Sequence, residues 1–346
     1  MKILFTAEYD EKMTDQIQAL GEVRMAGIAL GGEKLSDVEM LELARGVDII
    51  IVSYDDVTAK VMDAAPDLKL VACTRATPVN IDVAHAKSRG IPVIYTPGRN
   101  SDSATEMTIC LMLCCARNVH AAYRAMHNGE YLGPAGADKK QVKEGLRADV
   151  MWGFSPEDPY TVFKGCDLKN KTLGIVGYGS IGRRVCEIAM AFGMNILIYD
   201  PYASEVDVNR PGRLKVDLDT LMRESDFVTC HTKVTPSTTG MINAEKIALM
   251  KPTAYFINTS RAAVVDESAL IAALRENRIA GAGLDVFEKE PLPADHPFLH
   301  DLADRVAMTP HIGGATKDAV TNHTIMLLSD IARYFKGEPM LYTYRY

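Results

Sequence analysis

Three polar residues stand just past apolar runs in the last third of the chain, and their types make one kind of chemistry. Arg261 follows Phe256-Ile257-Asn258-Thr259-Ser260, Glu290 follows Gly283-Leu284-Asp285-Val286-Phe287, and His311 follows Val306-Ala307-Met308-Thr309-Pro310. A guanidinium grips a carboxylate through two parallel hydrogen bonds and polarises an adjacent carbonyl. An imidazole passes a hydroxyl proton near neutral pH. A carboxylate beside it holds the ring and favours the protonated form. Given a hydride carrier, the three suit hydride transfer to and from C2 of a 2-hydroxy acid. Any one of them alone reads more simply as a surface charge or a satisfied turn residue, so the weight rests on the set. His231, also at a strand end, competes with His311 for the proton. Pro310 stiffens the approach to His311, and Gly313-Gly314 beyond it leave room for a ligand.

The carrier is written upstream, in Gly177-Tyr178-Gly179-Ser180-Ile181-Gly182. A G-x-G-x-x-G alone says little, but Thr172–Val176 reads as a buried strand running into the first glycine. Val185, Ile188, Ala189 and Phe192 then recur at helical spacing until Gly193, and Ile196–Tyr199 reads as a second strand ending in Asp200. Strand, tight turn, helix, strand and acid form the dinucleotide-binding fingerprint. Gly177, Gly179 and Gly182 let the backbone approach a pyrophosphate at the helix N-terminus. Asp200 accepts from both ribose hydroxyls and repels a 2′-phosphate, so the expected cofactor is NAD, not NADP.

These strand ends need two sheets to carry them. Ile3–Ala7, Val23–Ala26, Asp48–Val52, Leu68–Ala72 and Pro92–Tyr95 read as short apolar strands of a parallel sheet covered on both faces, alternating with helices. Ser36-Asp37-Val38-Glu39 is a capping box, Gly46 closes that helix, and Gly21 and Gly90 stop two others. The fold class is therefore α/β with doubly wound parallel sheets: a flavodoxin-like domain and a Rossmann domain for NAD. Residues 1–100 and 317–346 are assigned to the first and 101–316 to the second, with the last helix, from about Lys317 to Phe335, crossing back. After Asp200 the alternation resumes with strands at Phe227–His231, Ala254–Asn258, Gly281–Val286 and Arg305–Met308, and Asp266 caps a helix through Ala273. One long helix is expected from Asp102 to Asn128. It is apolar nearly all round, as a helix shared between subunits would be, so a two-fold homodimer is expected. The stretch from Gly133 to Lys164, with Trp152, Phe154, Tyr160 and Phe163, has no clear periodicity. Trp152–Phe163 reads equally as an arm on a partner subunit or a self-packed loop.

Composition narrows the partners. With 38 basic and 45 acidic residues the net charge is −7, which argues against nucleic acid or an anionic membrane surface. No apolar run reaches membrane-spanning length, and Met1-Lys2-Ile3-Leu4-Phe5 reads as a first strand, not a signal peptide. Seven cysteines without a C-x-x-C pair fit a reducing cytoplasm, and Cys110, Cys114 and Cys115 read as helix core rather than metal ligands. No metal is expected.

Across nearly its whole length the chain resembles the D-isomer-specific 2-hydroxyacid dehydrogenases, which include D-3-phosphoglycerate dehydrogenase. The likeness rests on Gly174–Arg183, on Phe256–Ala262, on Gly283–Phe287 through Glu290-Pro291, and on Thr309–Gly314. It implies a substrate domain formed by the N- and C-terminal segments together, a cofactor domain in the middle, Arg261 on the substrate carboxylate and carbonyl, His311 as acid/base and Glu290 as its partner. It also implies cofactor contacts from Ser180, Ile181, Asp200, Thr232, Lys233, Thr238, Thr259, Ser260, Arg261, Asp285, His311 and Gly313, and a dimer built on the helix near residue 110. The loop after the fourth strand commonly holds the substrate carboxylate on the N–H groups of a Gly-rich turn. Here it reads Cys73-Thr74-Arg75-Ala76-Thr77-Pro78-Val79-Asn80, and Lys233 takes a place usually apolar or Pro. Substrate contacts are thus expected from Arg75, Ala76, Thr77 and Arg99 besides Arg261 and His311. Arg75 and Arg99, each after a strand, are expected to face the interdomain cleft, where they suit a second anionic group such as that of phosphoglycerate, or else tie loops through Asp102 or Glu106. Transcriptional corepressors resembling this family keep the fold without turnover, so an NAD(H)-sensing binding protein is the alternative. Formate oxidation is disfavoured, because formate dehydrogenases of the superfamily tend to pair the histidine with Gln where this chain has Glu290.

Overall fold

Short runs that are apolar at every position need cover on both faces, and parallel sheets under helices provide it. In the computed structural model, which describes residues 1–132 and 154–345, these runs build two compact units. One comprises Met1–Ser103 with Gly314–Tyr346, the other Ala104–Gly313. Residues 133–153, with Trp152, lie outside the described residues.

In the first unit β1 (Lys2–Phe5), β2 (Glu22–Met25), β3 (Ile49–Val52), β4 (Leu70–Cys73) and β5 (Val93–Ile94) form a wholly parallel sheet in the order β2-β1-β3-β4-β5, the flavodoxin order. Every residue of β3 is buried: Ile50 and Val52 pack with Met40, Val61 and Met62 on one face. Ile49 and Ile51 pack with Ile17 and with Leu327 and Ile331 of the helix Lys317–Lys336 on the other. The Ser36–Glu39 capping box is formed, and the helix it starts ends ahead of Gly46 at φ +69°. β5 is a bare edge in the sheet ladder, and the C-terminal segment covers it: Tyr95 N–H donates to the Tyr342 carbonyl and Tyr344 N–H to that of Val93.

The second unit holds β6 (Thr172–Val176), β7 (Asn195–Tyr199), β8 (Arg213–Lys215), β9 (Phe227–Cys230), β10 (Tyr255–Asn258), β11 (Gly281–Leu284) and β12 (Val306–Met308). All pairs are parallel and the order is β12-β11-β10-β9-β6-β7-β8. The direction of winding reverses between β6 and β9, so the crevice for a ligand lies beyond Val176 and Cys230. Two elements differ from the expectation. β8, three residues long, carries too little apolar pattern to be recognised. The expected helix over 102–128 is two helices, Ser101–Ala116 and Val119–His127, because Asn118 adopts φ +51° and breaks the ladder. Ile109, Leu111, Met112 and Cys115 of the first are buried in the core with Ile175 and Ile257.

Candidate active site

Gly177 follows β6 with φ +97°, a conformation glycine adopts without penalty, and a Cβ there would lie 2.9 Å from the His231 backbone. A Cβ on Gly182 would lie 2.2 Å from the Gly177 carbonyl oxygen. These two glycines close the turn on itself and against the segment after β9. Gly179 differs, since no atom of the described residues lies within 4 Å of where its Cβ would be. As N-cap it offers no side-chain hydrogen bond to the helix Ser180–Ala191, in which Ser180 and Ile181 form the first turn. The positive end of a twelve-residue helix therefore opens onto space for an anion. Beside Gly177, the Thr232 hydroxyl is buried without a hydrogen-bond partner among the described residues.

Asp200 ends β7 and fastens the turn. One carboxylate oxygen accepts the Tyr178 N–H at 2.7 Å, and the other accepts those of Tyr202 and Ala203 at 2.8 and 3.2 Å. A carboxylate has about four acceptor sites, so capacity remains for a ribose. Next to it lies a cavity of about 520 Å³ lined by Tyr199, Asp200, Pro201, Glu205, Lys215, Val216 and Asp217. Three carboxylates border it, and the Lys215 ammonium is spent on the Ala203 carbonyl at 2.6 Å. The open glycine, the orphaned hydroxyl and the acidic cavity fit a dinucleotide without a 2′-phosphate.

Two of the three strand-end residues of this unit, His311 and Glu290, are bonded to each other. His311 Nδ1 lies 2.7 Å from Glu290 Oε2, with both side chains about two-fifths exposed. The Phe287 N–H donates to Glu290 Oε1 at 3.0 Å. Burial works to raise the Glu290 pKa, but the bond to His311, the Phe287 N–H and the charges of His311 and Arg261 together hold it below the usual carboxylate range. Arg261 is exposed, and among the described residues its one side-chain bond is to the Ser260 carbonyl at 2.6 Å. His231 is different: burial pushes its pKa down to about 3, and its Nε2 meets the Thr229 hydroxyl at 3.0 Å. It stays neutral at physiological pH.

Backbone geometry explains why these residues stand where they do. His311 adopts φ +56°, unusual outside glycine. The turn is held by Asp285, 1% exposed, whose carboxylate accepts the N–H groups of Ile312 and Gly313 at 2.9 and 2.7 Å and the Thr309 hydroxyl at 2.5 Å. A Cβ on Gly313 would lie 2.7 Å from that carboxylate. Asp285, read from the sequence as a cofactor contact, thus acts first on the His311 turn. Asn258, which the sequence reading passed over, does the same for Arg261: its amide oxygen accepts from Ser260 and its amide nitrogen donates to the Arg261 carbonyl. A polar amide at the end of an otherwise apolar strand was the available signal. Thr259 bonds Thr108 at 2.7 Å. Thr238 closes the loop of Lys233, accepting the Thr235 N–H and donating to the Lys233 carbonyl at 2.6 Å, while the Lys233 side chain is exposed.

In the first unit the Arg75 guanidinium lies 5.2 Å from the centre of the Tyr54 ring, a cation–π contact, and meets no carboxylate among the described residues. Ala76 and Thr77 are exposed in the same loop. Arg99 Nη1 donates to His323 Nδ1 at 3.0 Å, and His323 Nε2 then donates to the Glu8 carbonyl at 2.8 Å. The expected alternative, a tie through Asp102 or Glu106, gives way to the histidine for Arg99 and to the tyrosine ring for Arg75.

Residues 109–313 match the family model described as "D-isomer specific 2-hydroxyacid dehydrogenase, NAD binding domain". The chain belongs to this family. A hydroxypyruvate reductase of Thermotoga maritima is 38% identical over 86% of this chain and 88% of its own length. A D-3-phosphoglycerate dehydrogenase of Methanocaldococcus jannaschii is 37% identical over 98% of this chain, which spans only 58% of that enzyme. The TT0316 protein of Thermus thermophilus superposes over the full length of both chains with a TM-score of 0.79 at 30% identity. As a D-2-hydroxyacid dehydrogenase the chain is an NAD-dependent oxidoreductase acting on the CH–OH group of 2-hydroxy acids. These relatives lend no support to a non-catalytic NAD(H) sensor. Among the described residues, no helix is long and apolar enough to cross a membrane.

Proposed function

We propose that Arg261, Glu290 and His311 carry the reaction, on a 2-hydroxy or 2-oxo acid that bears a second anionic group. The observation that carries this reading is the 2.7 Å bond between His311 Nδ1 and Glu290, which fixes the ring and leaves Nε2 without a partner among the described residues. NAD, when bound, accepts or supplies the hydride at C2. In reduction, His311 Nε2–H gives its proton to the carbonyl oxygen while Nδ1–H stays on Glu290. In oxidation, neutral Nε2 takes the hydroxyl proton, and Glu290 stabilises the imidazolium that forms. Arg261, which meets no carboxylate among the described residues, holds the substrate carboxylate and polarises the carbonyl. We assign the N–H groups of Ala76 and Thr77 and the Arg75 guanidinium to substrate anions. The charges of Arg75 and Arg99 both act on the Cys73 thiol, so the end of β4 is electropositive. Seven free cysteines, Cys110 among them exposed, support a reducing cytoplasmic setting.

A panel of 2-oxo acids with NADH, followed by cofactor absorbance, tests the substrate. A dianionic 2-oxo acid should exceed pyruvate in kcat/KM, and Arg75→Ala should erase that advantage while sparing pyruvate turnover. Equal use of pyruvate, or equal damage to both substrates, would remove the second anion site. No turnover on any member would revive the sensor.

A further inference from the structure

The segment Phe287–Glu290 leaves β11 as irregular backbone, yet it must present the Glu290 carboxylate to His311. Two carboxylates accept consecutive N–H groups of this segment. Glu290 takes the Phe287 N–H at 3.0 Å, and Glu267 takes the Glu288 N–H at 3.0 Å. Glu267 opens the helix Glu267–Arg275, which Asp266 caps through the Ala269 N–H, so its backbone is anchored. The other Glu267 oxygen lies 3.3 Å from His296 Nε2, and this pair is nearly buried, at 13% and 12% side-chain exposure. The tautomer follows from the neighbour: the Phe298 N–H donates to His296 Nδ1 at 3.3 Å, so Nε2 carries the hydrogen and donates to Glu267. The Phe298 ring, fully buried, packs 6.4 Å from the Phe287 ring, which closes a circuit from Phe287 through Phe298, His296 and Glu267 back to Glu288.

We propose that Glu267, oriented by His296, is a positioning residue that sets the Glu290 carboxylate against His311 by clamping the Glu288 N–H. The proposal rests on the reading of His311 and Glu290 as the acid/base pair. An unclamped segment would let Glu290 drift by fractions of an ångström, and a 2.7 Å charge-assisted bond is sensitive to that scale. Arg261 is the other charge acting on Glu290, and it stands on the turn after β10, outside the clamp.

The experiment compares Glu267→Ala, Glu267→Asp and Glu267→Gln with His311→Ala, measuring kcat, KM, the pH profile of reduction and NADH affinity by fluorescence. Gln keeps the length and an oxygen for the Glu288 N–H but loses the charge, whereas Asp keeps the charge and loses the reach. Positioning predicts that Ala and Asp each lower kcat by about tenfold or more. It predicts little change in KM or NADH affinity, and it moves the alkaline fall of reduction to lower pH as His311 loses its partner. Gln, whose oxygen still takes the Glu288 N–H while its NH2 faces the His296 Nε2–H, should retain more kcat than Asp. Asp behaving normally while Gln fails would make the charge, not the clamp, the operative feature and overturn the proposal. Loss of NADH affinity in step with kcat would also overturn it, since that marks general damage. Glu267→Ala with unchanged kcat and pH profile, beside an inactive His311→Ala, would overturn the clamp alone. An active His311→Ala would overturn the acid/base reading itself.

Discussion

At the scale of single residues, the site depends on which polar atoms are already occupied. His311 has Nδ1 committed to Glu290 and Nε2 without a partner among the described residues, while His231 is half-buried, neutral and bonded to Thr229. His311→Ala should therefore lower kcat by about 10²–10⁴ with NADH binding intact, measured by steady-state kinetics and fluorescence titration. Near-normal turnover would move the proton role elsewhere. Asp200 is engaged by three backbone N–H groups and borders a cavity with two further carboxylates. NAD should accordingly be preferred over NADP by a wide margin, and Asp200→Ala should narrow it. Part of that loss should appear as weaker binding of both cofactors, because the Tyr178 N–H loses its acceptor. Equal kcat/KM for the two cofactors in the unmodified enzyme would contradict the assignment.

At the scale of elements, the break at Asn118 separates two jobs that one helix was expected to do. Ser101–Ala116 buries its apolar side chains in the second unit's core. Val119–His127 instead presents Val119, Tyr123 and Met126, at helical spacing and 49%, 63% and 57% exposed. Three large apolar side chains in one stripe are more than a solvated face carries, and we read this stripe as part of a two-fold dimer interface. Phe154 and Tyr160, exposed in the described end of the aromatic stretch, are compatible with an arm. Sedimentation at micromolar concentration should give twice the chain mass, and Tyr123→Glu should shift it toward the monomer. A monomeric mass for the unmodified chain would refute the dimer.

At the scale of the molecule, burial lowers the pKa of histidines in both units, most strongly His323 in the first and His231 in the second, with His120 shifted the same way. Burial and the Arg99 charge lower the His323 pKa to about 4, against the bond to the Glu8 carbonyl, and burial takes His231 to about 3. Both lie below the ordinary value of 6.5. The unfolded chain thus takes up these protons first as pH falls, and stability is lost progressively from about pH 6.5 down to the folded values. Each histidine contributes a slope of up to about 1.4 kcal/mol per pH unit in that window. Urea unfolding between pH 7 and 4 should show the decline, and His323→Gln should flatten it. A pH-independent midpoint would show that neither ring resists protonation.

The sequence alone determined the reaction class, because the glycine turn lies between a strand and a helix legible from local pattern, and the Arg, Glu and His candidates stand as a set downstream of it. The strands of both sheets were legible for the same reason: a buried parallel strand is a short apolar run bounded by turn residues. The chain also announced the acid at the end of β7. What it could not show are facts that depend on partners far away in sequence. Asn118 leaves the helical conformation with no Gly or Pro to mark it, and β8 is a strand only because β7 lies beside it. Asp285 is spent on the His311 turn, Arg99 meets His323 across 224 residues, and Glu267 meets Glu288 and His296. A carboxylate or an imidazole looks the same in sequence whether it faces water, a ligand or a backbone N–H. Its partner, and so its role, exists only once the fold has brought the two together and excluded the water that would otherwise satisfy both.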